Sequence, residues 1–235
     1  MRSVVRFTPV NSRTPKSRHE RPSRTRSRDT PSRGERKEAT RRAIIDAALK
    51  LLEERSFSGL SLREVTREAG IVPAAFYRHF DSMDALGLVL IDESFRSLRE
   101  MLRSARAGKL DPNRVIESTV EMLVAGVTEQ REHWRFIVRE RSSGVTVLRY
   151  AIRTEIRLIT SELATDLARF PQMRDWSTED LNILAGLFVN SMIIIAEALE
   201  DAADAAAVEE ITRTATKQLR MVVVGVAGWR SDPAN

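Results

Sequence analysis

A short stretch near residue 77 carries side chains that could contact a polyanion such as DNA. Tyr77 offers a hydroxyl group to a phosphate and a ring to a thymine methyl group, and Arg78 and His79 can reach phosphates. Just before them, the small side chains of Ala74 and Ala75 would let the backbone approach the floor of a groove. The chemistry that this stretch predicts is therefore non-covalent recognition of nucleic acid.

Two short helices joined by a tight turn are predicted to position these side chains. Ser61 and Glu64 have the spacing of a capping box, in which the serine hydroxyl accepts from the Glu64 amide and the glutamate accepts from the serine amide. Gly70 can adopt the left-handed conformation that ends such a helix. Pro73 suits the first turn of the next helix, where its missing N–H group would have had no partner.

The second of these helices has two different faces. Phe76 and Phe80 are four residues apart and share one face, which we expect to pin the helix to the rest of its domain. Tyr77 and Arg78 lie on the opposite face. Spacing alone leaves a second interpretation open, namely a helical hairpin in any all-helical protein, with Tyr77 and His79 as ordinary half-buried residues.

The run from about Arg36 to Glu93 resembles the DNA-binding domain of TetR-family transcriptional regulators. The matching residues fall in three predicted helices: Ile44-Ile45-Asp46-Ala47-Ala48, then Leu62-Arg63-Glu64-Val65 with Ala69-Gly70-Ile71, then Phe76-Tyr77-Arg78-His79-Phe80. Together with Asp84-Ala85-Leu86-Gly87-Leu88 and Arg139-Glu140-Arg141-Ser142, they are similar to the FabR/DesT-type repressors of unsaturated fatty-acid synthesis. One departure from the wider family is Met83, where many members carry a lysine that contacts phosphate.

The resemblance implies an all-α fold, with an N-terminal three-helix helix-turn-helix domain and a C-terminal helical ligand-binding and dimerisation domain. The expected boundaries are 1–34 for a disordered arginine-rich tail, 35–81 for the DNA-binding domain, 82–230 for the regulatory domain and 231–235 for a second tail. It also implies a homodimer on a near-palindromic double-stranded DNA operator, because two recognition helices read two half-sites. The candidate DNA-binding residues are Thr40, Arg41, Ser61, Arg63, Pro73, Ala74, Ala75, Tyr77, Arg78 and His79.

The composition excludes several kinds of site. The chain of 235 residues has no cysteine, so disulfides and thiolate metal sites are excluded, and its three histidines are too scattered to suggest a metal site. Because there is no serine–histidine pairing and no glycine-rich phosphate loop, we predict no catalytic residue, no cofactor and no enzymatic activity. No apolar segment follows the charged N-terminus, so a secretory signal is not expected and a cytoplasmic location is predicted.

The basic charge of the chain is concentrated in its first 34 residues. They hold nine arginines and Lys16 against Glu20 and Asp29, a net charge of +8, whereas the whole chain carries +5, so residues 35–235 carry −3. Ser, Thr, Pro and Arg dominate this tail, which we therefore expect to be disordered. It could act as an arm that enters a minor groove, or as a solvated extension that adds only salt-sensitive affinity. An architectural nucleic-acid binder driven by the tail is an alternative function from a different class.

After residue 34 the apolar spacing is helical throughout, without the alternation of a strand. Besides the two short helices, we expect helices at roughly 35–55, 82–107, 113–129, 132–141, 145–169, 178–200 and 206–229. The helix at 82–107 is long enough to belong to both predicted domains, which makes it the predicted lever between them. The most apolar run, 183–196, is shorter than the about 20 residues of a membrane span, so we expect a buried helix and no membrane partner.

The last two helices are predicted to form the dimer interface. Apolar residues at three- and four-residue steps give the last helix a coiled-coil-like seam, and in the TetR family the corresponding helices form a four-helix arrangement between two subunits. The candidate interface residues are Leu187, Ile194, Ile211, Ala215, Leu219, Val222 and Val226. A seam closed entirely within one subunit is the alternative.

Similarity to the fatty-acid subgroup implies an elongated apolar tunnel for a hydrophobic small-molecule effector, and we predict long-chain acyl-CoA. The candidate ligand-binding residues are Phe95, Leu98, Leu102, Met122, Phe136, Ile137, Arg139, Arg141, Phe188, Met192 and Ile195. The two arginines match the subgroup and are the preferred partners of a CoA head group. A structural ion-pair cluster is an equal alternative for them, and the apolar residues could simply be core. The competing function is a repressor of efflux or catabolic genes that responds to another hydrophobic molecule.

Overall fold

The computed structural model describes residues 32–107 and 114–231, except the side chains of Ser97 and of residues 101–107. Within these residues the chain forms nine α-helices, two single-turn 3₁₀ helices and no β-strand, which confirms the all-α fold class. The α-helices are α1 (Arg33–Leu52), α2 (Leu62–Glu68), α3 (Pro73–Phe76), α4 (Met83–Ala107), α5 (Val115–Glu129), α6 (Arg131–Glu140), α7 (Thr146–Leu167), α8 (Thr178–Glu200) and α9 (Ala205–Gly228). The 3₁₀ helices are Phe57–Gly59 and Pro171–Met173.

Helix α1 begins two residues before the predicted position and ends three residues before it. Ser32 and Glu35 form a capping box, in which the Ser32 hydroxyl accepts from the Glu35 amide at 3.1 Å and the Glu35 carboxylate accepts from the Ser32 amide at 2.5 Å. The tail boundary expected at residue 34 therefore shifts to Ser32, because residues 32–34 already belong to the start of the helix. The tail itself, residues 1–31, lies outside the described residues.

The segment from α2 to α3 has the predicted local structure. The Ser61 hydroxyl accepts from the Glu64 amide at 3.3 Å, and the Ser61 amide donates to the Glu64 carboxylate at 3.1 Å. Gly70 has a φ of 67°, the only positive φ in the described part of the chain, and Pro73 is the first residue of α3. Since each of these signals is local, the turn between the two helices follows from the sequence.

One continuous apolar core joins the three amino-terminal helices to helices further along the chain. Ile44 of α1, Phe76 of α3, Leu90 of α4, Phe136 of α6 and Leu148 of α7 belong to a single buried cluster. The core is thus continuous across the boundary expected between residues 81 and 82. Because protein interiors are close-packed, any tilt of the amino-terminal helices must disturb α6 and α7.

Two further clusters build the carboxy-terminal half. One lies between α5, α8 and α9 around Leu123 and Leu219, and the other lies between α7 and α8 around Leu167 and Leu181. The end of the chain is tied to the start of α8, because the Ser231 hydroxyl accepts from the amide of residue 177 at 2.7 Å. Residue 231, which we expected to begin a second tail, is therefore part of the fold, and residues 232–235 lie outside the described residues.

Candidate nucleic-acid interface

The exposed face of α3 carries the side chains that the sequence assigned to DNA. Tyr77 is 58% exposed, while Phe76 is fully buried and Phe80 nearly so. The Phe76 and Tyr77 rings meet edge to face, with centroids 5.7 Å apart. Arg78 is exposed beside Tyr77. The two phenylalanines thus fix the direction in which the tyrosine and the arginine point into solvent.

The start of α3 is open to solvent. Pro73 and Ala74 are exposed and Ala75 is half-buried. Because these side chains are small, the backbone of α3 can lie close to a flat or grooved partner. No larger side chain of α3 stands in front of Tyr77.

His79 lies at the end of this face, next to α1. Burial lowers the pKa of His79, and the positive charges of Lys37, Arg41 and Arg78 lower this pKa further. Its ring is half-buried, and its Nδ1 atom is buried without a hydrogen-bond partner in the described part of the chain. The histidine is therefore neutral near pH 7 and sits among cations that would attract a phosphate.

Lys37 is a candidate that the sequence analysis missed. It is exposed on the first half of α1, near His79. The available signal was its position three residues before Thr40, which places both on one side of the helix. The Thr40 hydroxyl donates to the carbonyl of residue 36 at 2.9 Å, so it is held against its own helix.

Arg41 holds the fold together in addition to facing the same region. Its guanidinium lies 5.3 Å from the centroid of the Phe80 ring and 3.7 Å from the Glu93 carboxylate of α4. It therefore fastens α1 to the end of α3 and to α4. From the sequence we expected Arg41 to be a phosphate contact. The sequence did not show these two partners, because both lie far along the chain.

The two candidate DNA-binding residues at α2, Ser61 and Arg63, differ in whether they are engaged within the fold. The Ser61 hydroxyl is engaged with the Glu64 carboxylate at 2.7 Å and caps the helix, whereas Arg63 is exposed. Glu64 also pairs with Arg55 at 2.7 Å, and neither side chain of that pair is deeply buried. Because Ser61 is engaged in the helix cap, Arg63 is the candidate at α2 whose side chain can reach a partner.

Four of the candidate ligand residues are buried in the core. Phe95, Phe136 and Ile137 are buried in the cluster that contains α1 and α3, and Ile195 is buried between α5, α8 and α9. Met122 is half-buried, and the side chain of Leu102 lies outside the described residues. Two depressions of about 500 and 380 Å³ are open to solvent, and neither is lined by a candidate ligand residue.

Three half-buried side chains lie where the clusters meet. Leu98 of α4 contacts both the first cluster and the one between α5, α8 and α9. Phe188 of α8 contacts the latter cluster and the one between α7 and α8, and Met192 lies one turn further along α8. The boundaries between the three clusters therefore lie at these residues.

Arg139 and Arg141, the expected partners of a CoA head group, have different partners within the described part of the chain. Arg139 donates to the main-chain carbonyls of Leu52 at 3.0 Å and Arg55 at 2.9 Å. Arg141 lies 3.6 Å from the Glu197 carboxylate. Arg139 is thus bound to the end of α1 through main-chain carbonyls, and Arg141 faces a carboxylate of α8.

The seam predicted on α9 faces its own subunit. Ala215 and Leu219 are each 1% exposed within a single chain, so their side chains are not available to a partner. Ile211, Val222 and Val226 are half-buried and pack against the same two clusters, and Val222 and Val226 lie against α7 and α8. Ala215 and Leu219 thus fit a seam closed within one subunit, whereas Ile211, Val222 and Val226 keep some surface that a partner could cover.

Other apolar side chains of the last two helices remain exposed. Leu187 and Ile194 of α8 are exposed as predicted. On α9 the exposed apolar residues include Met221 and Val224, at 69% and 74% exposure, and the sequence analysis assigned neither of them. An apolar surface of α8 and α9 thus remains, with a different set of α9 residues.

Helix α8 is also long and apolar enough to cross a membrane, with a mean hydropathy of 1.8 over its most apolar window. A core helix of a globular protein meets the same two criteria. The inner side of α8, which includes Leu184 and Ala185, is buried against neighbouring helices. A third of that window is buried within the subunit.

Residues 44–88 match the family model of bacterial regulatory proteins of the tetR family. This segment runs from the middle of α1 through α2 and α3 into α4, so it contains the exposed face described above. The amino-terminal helices are therefore similar to those of tetR-family regulatory proteins.

Solved structures share the fold over most of the chain. A TetR-like transcriptional regulator from Rhodococcus sp. RHA1 is 18% identical with a TM-score of 0.61, covering 81% of this chain and 99% of its own. The fatty acid degradation regulator FadR from Bacillus halodurans is 13% identical with a TM-score of 0.61, covering 80% and 99%. AibR, solved in complex with isovaleryl coenzyme A and operator DNA, is 16% identical with a TM-score of 0.59, covering 76% and 97%. At these identities the likeness shows a TetR-like fold that extends beyond the TetR-family segment.

Proposed function

We propose that this chain is a cytoplasmic, homodimeric repressor whose affinity for a near-palindromic operator is changed by long-chain acyl-CoA. The observation that carries the DNA-binding part is the exposed side of α3 inside a TetR-family segment. There Tyr77 and Arg78 face solvent while Phe76 anchors the helix. One recognition helix reads few base pairs, and a symmetric pair reads two half-sites.

The DNA contacts that we propose fall into two groups. Ala74, Tyr77 and Arg78 form the part that enters the groove, with Pro73 and Ala75 beside them. Lys37, Thr40, Arg63 and His79 flank it and contact phosphates, which positions the helix without reading sequence. Ser61 and Arg41 support this surface from within the fold, through the cap of α2 and the Phe80 ring.

The partner of the remaining apolar surface is proposed to be a second copy of the chain. Leu187 and Ile194 of α8, together with Met221 and Val224 of α9, would be covered in the dimer. Large apolar side chains that are exposed on a single subunit are often covered by a partner. On α9 this set differs from the candidates expected from the sequence, of which Ala215 and Leu219 are buried within the subunit.

The acyl-CoA part of the proposal is supported by three observations. Arg139-Glu140-Arg141-Ser142 is similar to the fatty-acid subgroup, one structural neighbour was solved with isovaleryl coenzyme A, and another regulates fatty acid degradation. An acyl chain would enter where the clusters meet, at Leu98, Phe188 and Met192. It would push apart residues that already pack less completely than the core around them, so part of its binding energy is used to open the site.

The target genes that we propose are those for making or desaturating fatty acids. Such a switch needs about 1–3 kcal/mol of coupling, or roughly a 5–150-fold change in operator affinity. A saturated and a kinked unsaturated chain fill the same space differently, so the two could place α4 at different angles.

The test is fluorescence anisotropy with DNA from upstream of the chain's own gene and of neighbouring lipid genes. Titrations are made with palmitoyl-CoA, oleoyl-CoA and free coenzyme A as the matched control. Specific binding that the two acyl-CoAs change in different directions, and free coenzyme A does not change, supports the proposal. Specific binding that none of the three compounds changes would support a repressor whose effector is another hydrophobic molecule. Binding without sequence preference refutes the repressor.

A further inference from the structure

The end of α1 is held by arginines of α6. The carbonyl groups at the end of a helix have no partner within that helix. Here Arg139 donates to the carbonyls of Leu52 at 3.0 Å and Arg55 at 2.9 Å, and Arg135 donates to the carbonyl of Glu53 at 3.3 Å. Helix α6 therefore supplies the missing donors where the chain leaves α1 for the helix-turn-helix.

Glu140, also on α6, binds the connection between α1 and α2 through a main-chain amide of that connection. Its Oε1 atom accepts from the main-chain N–H of Phe57 at 2.8 Å. The Phe57 ring lies 6.5 Å from the ring of Phe136 and directly over Gly87 of α4, where an added Cβ would be 2.8 Å away. The connection between α1 and α2 is thus fixed in two ways. Side chains of α6 bind its carbonyl groups and the Phe57 amide, and Phe136 and Gly87 form a socket around the Phe57 ring.

The Glu140 carboxylate has little freedom to move. The residue is fully buried, and its Oε2 atom has no hydrogen-bond partner in the described part of the chain. A buried carboxylate with an unpaired oxygen is costly. If α6 shifted without the connection, the bond to Phe57 would break and both oxygens would be buried without a partner. Moving α6 and the connection together avoids that cost.

The other side of α6 is attached to α8. Arg135 donates to the Glu200 carboxylate at 2.9 Å, and Arg141 lies 3.6 Å from that of Glu197. Helix α8 also carries Phe188 and Met192, where the clusters meet. Helix α6 consequently lies between the proposed ligand region and the helix-turn-helix.

We propose that Arg139 and Glu140 are positioning residues that fix the helix-turn-helix to α6. A displacement of α6 relative to α8 then reaches α2 and α3 through the connection after α1, and not through α4 alone. The consequence at the operator rests on the proposed function, whereas the mechanical link is independent of it.

Hydrogen–deuterium exchange of the full-length protein tests the link. Arg139→Ala removes the hydrogen bonds to α1, and Arg141→Ala on the same segment is the matched control, because Arg141 pairs with α8. Loss of hydrogen bonds from a charged group is expected to speed exchange of amides in residues 53–69 about tenfold or more in Arg139→Ala. Arg141→Ala should leave those amides as in the wild type. Equal exchange in residues 53–69 for the two variants would overturn the proposal.

A pair of variants at Glu140 gives a second comparison. Glu140→Gln keeps an oxygen that can accept from Phe57 and should exchange like the wild type, whereas Glu140→Leu removes the acceptor and should exchange like Arg139→Ala. If Arg139→Ala does not fold, Arg139→Lys takes its place, because it keeps the charge and loses the fork that reaches two carbonyls. Similar exchange for the glutamine and leucine variants would contradict a role for the bond.

Spin labels report the consequence for the dimer. The chain has no cysteine, so Asp81→Cys, at an exposed position just after α3, gives one label in each subunit. Arg139→Ala should broaden the distribution of distances between the two labels, and Arg141→Ala should not. Equal widths would count against the link. A wild type without any signal between labels would refute the proposed dimer, while the exchange comparison would still decide the link.

Discussion

At the scale of single residues, the two tyrosines of the chain provide a matched test of the DNA surface. Tyr77 and Tyr150 are similarly exposed, at 58% and 61%, at the end of α3 and on α7. Replacing Tyr77 by Phe removes one hydroxyl, so a broken hydrogen bond to phosphate should weaken operator binding roughly 2- to 10-fold. Tyr150→Phe should leave it unchanged. Anisotropy titrations measure both, and equal affinities for the two variants would show that Tyr77 does not touch the DNA.

The two described histidines predict how stability depends on pH. Burial is the main reason that the pKa values of His79 and His133 are lowered. As the pH falls below about 6.5, the unfolded chain takes up protons before the folded chain does. The free energy of unfolding should therefore be level between about pH 8 and 7 and decrease below about 6.5, as measured by urea unfolding. His133→Gln should flatten the decrease.

Three carboxylates of the amino-terminal helices titrate below this range. The pKa values of Glu35, Glu64 and Glu68 are lowered, chiefly by hydrogen bonds to Ser32, Ser61 and Lys50. Their contribution is lost only below about pH 4.5. An undiminished slope between about pH 6.5 and 5.5 after replacing both histidines by glutamine would rule out this explanation.

Residues differ in how far the sequence determines their role. The positions of Phe76, Tyr77 and Gly70 follow from local signals, namely helical spacing and a backbone conformation that glycine tolerates. The role of Arg139 does not, because its partners are main-chain carbonyls more than 80 residues away along the chain. Every residue has a main-chain carbonyl group, so the sequence does not indicate which of them binds an arginine.

At the scale of helices, Gly87 marks the closest approach of α4 to its neighbours. A Cβ atom there would lie 2.7 Å from the Leu148 side chain and 2.8 Å from the Phe57 ring. Gly87→Ala should therefore destabilise the protein by about 1–3 kcal/mol through overpacking. Gly34→Ala is the control, since its nearest neighbouring atom is 3.8 Å away and alanine favours helix. Urea unfolding measures both, and a stabilised Gly87→Ala would show that the socket has room.

The helices themselves were predictable, but the orientation of α9 was not. Apart from α1, the bounds of the long helices agree with those predicted to within two residues. Helix α9, however, has apolar side chains around most of its circumference, with Leu219 on one side and Val224 on another. Periodicity identifies such a helix without deciding which side faces its own subunit.

At the scale of the whole molecule, glutamate substitutions separate dimer formation from folding. Ile194→Glu places a charge on an exposed apolar surface and should give a folded monomer, whereas Leu219→Glu buries an unpaired charge and should prevent folding. Leu158→Glu, on α7, is a control with a comparable exposed residue and should stay dimeric. Sedimentation and circular dichroism distinguish the three. A dimeric Ile194→Glu variant would mean that this surface has another partner.

The tail can be tested by a deletion that spares the cap of α1. Removing residues 1–31 keeps Ser32, which accepts from the Glu35 amide. We expect a shallower dependence of affinity on salt, by roughly 0.9 in the log–log slope for each phosphate that the tail had neutralised, with an unchanged ratio of specific to non-specific affinity. Gel shifts at several salt concentrations measure both quantities. A reduced ratio would instead indicate an arm that reads the operator.

The socket around Phe57 also limits how chains of this fold can be recombined. A chimera that joins the first 81 residues to the remainder of a distant relative would place Phe57 and its amide against a foreign α6. The new helix would have to supply both a carboxylate at the depth of Glu140 and a guanidinium at the end of α1. We therefore expect the exchangeable unit to be the helix-turn-helix together with α6, two pieces that are separate in the chain but joined in the fold.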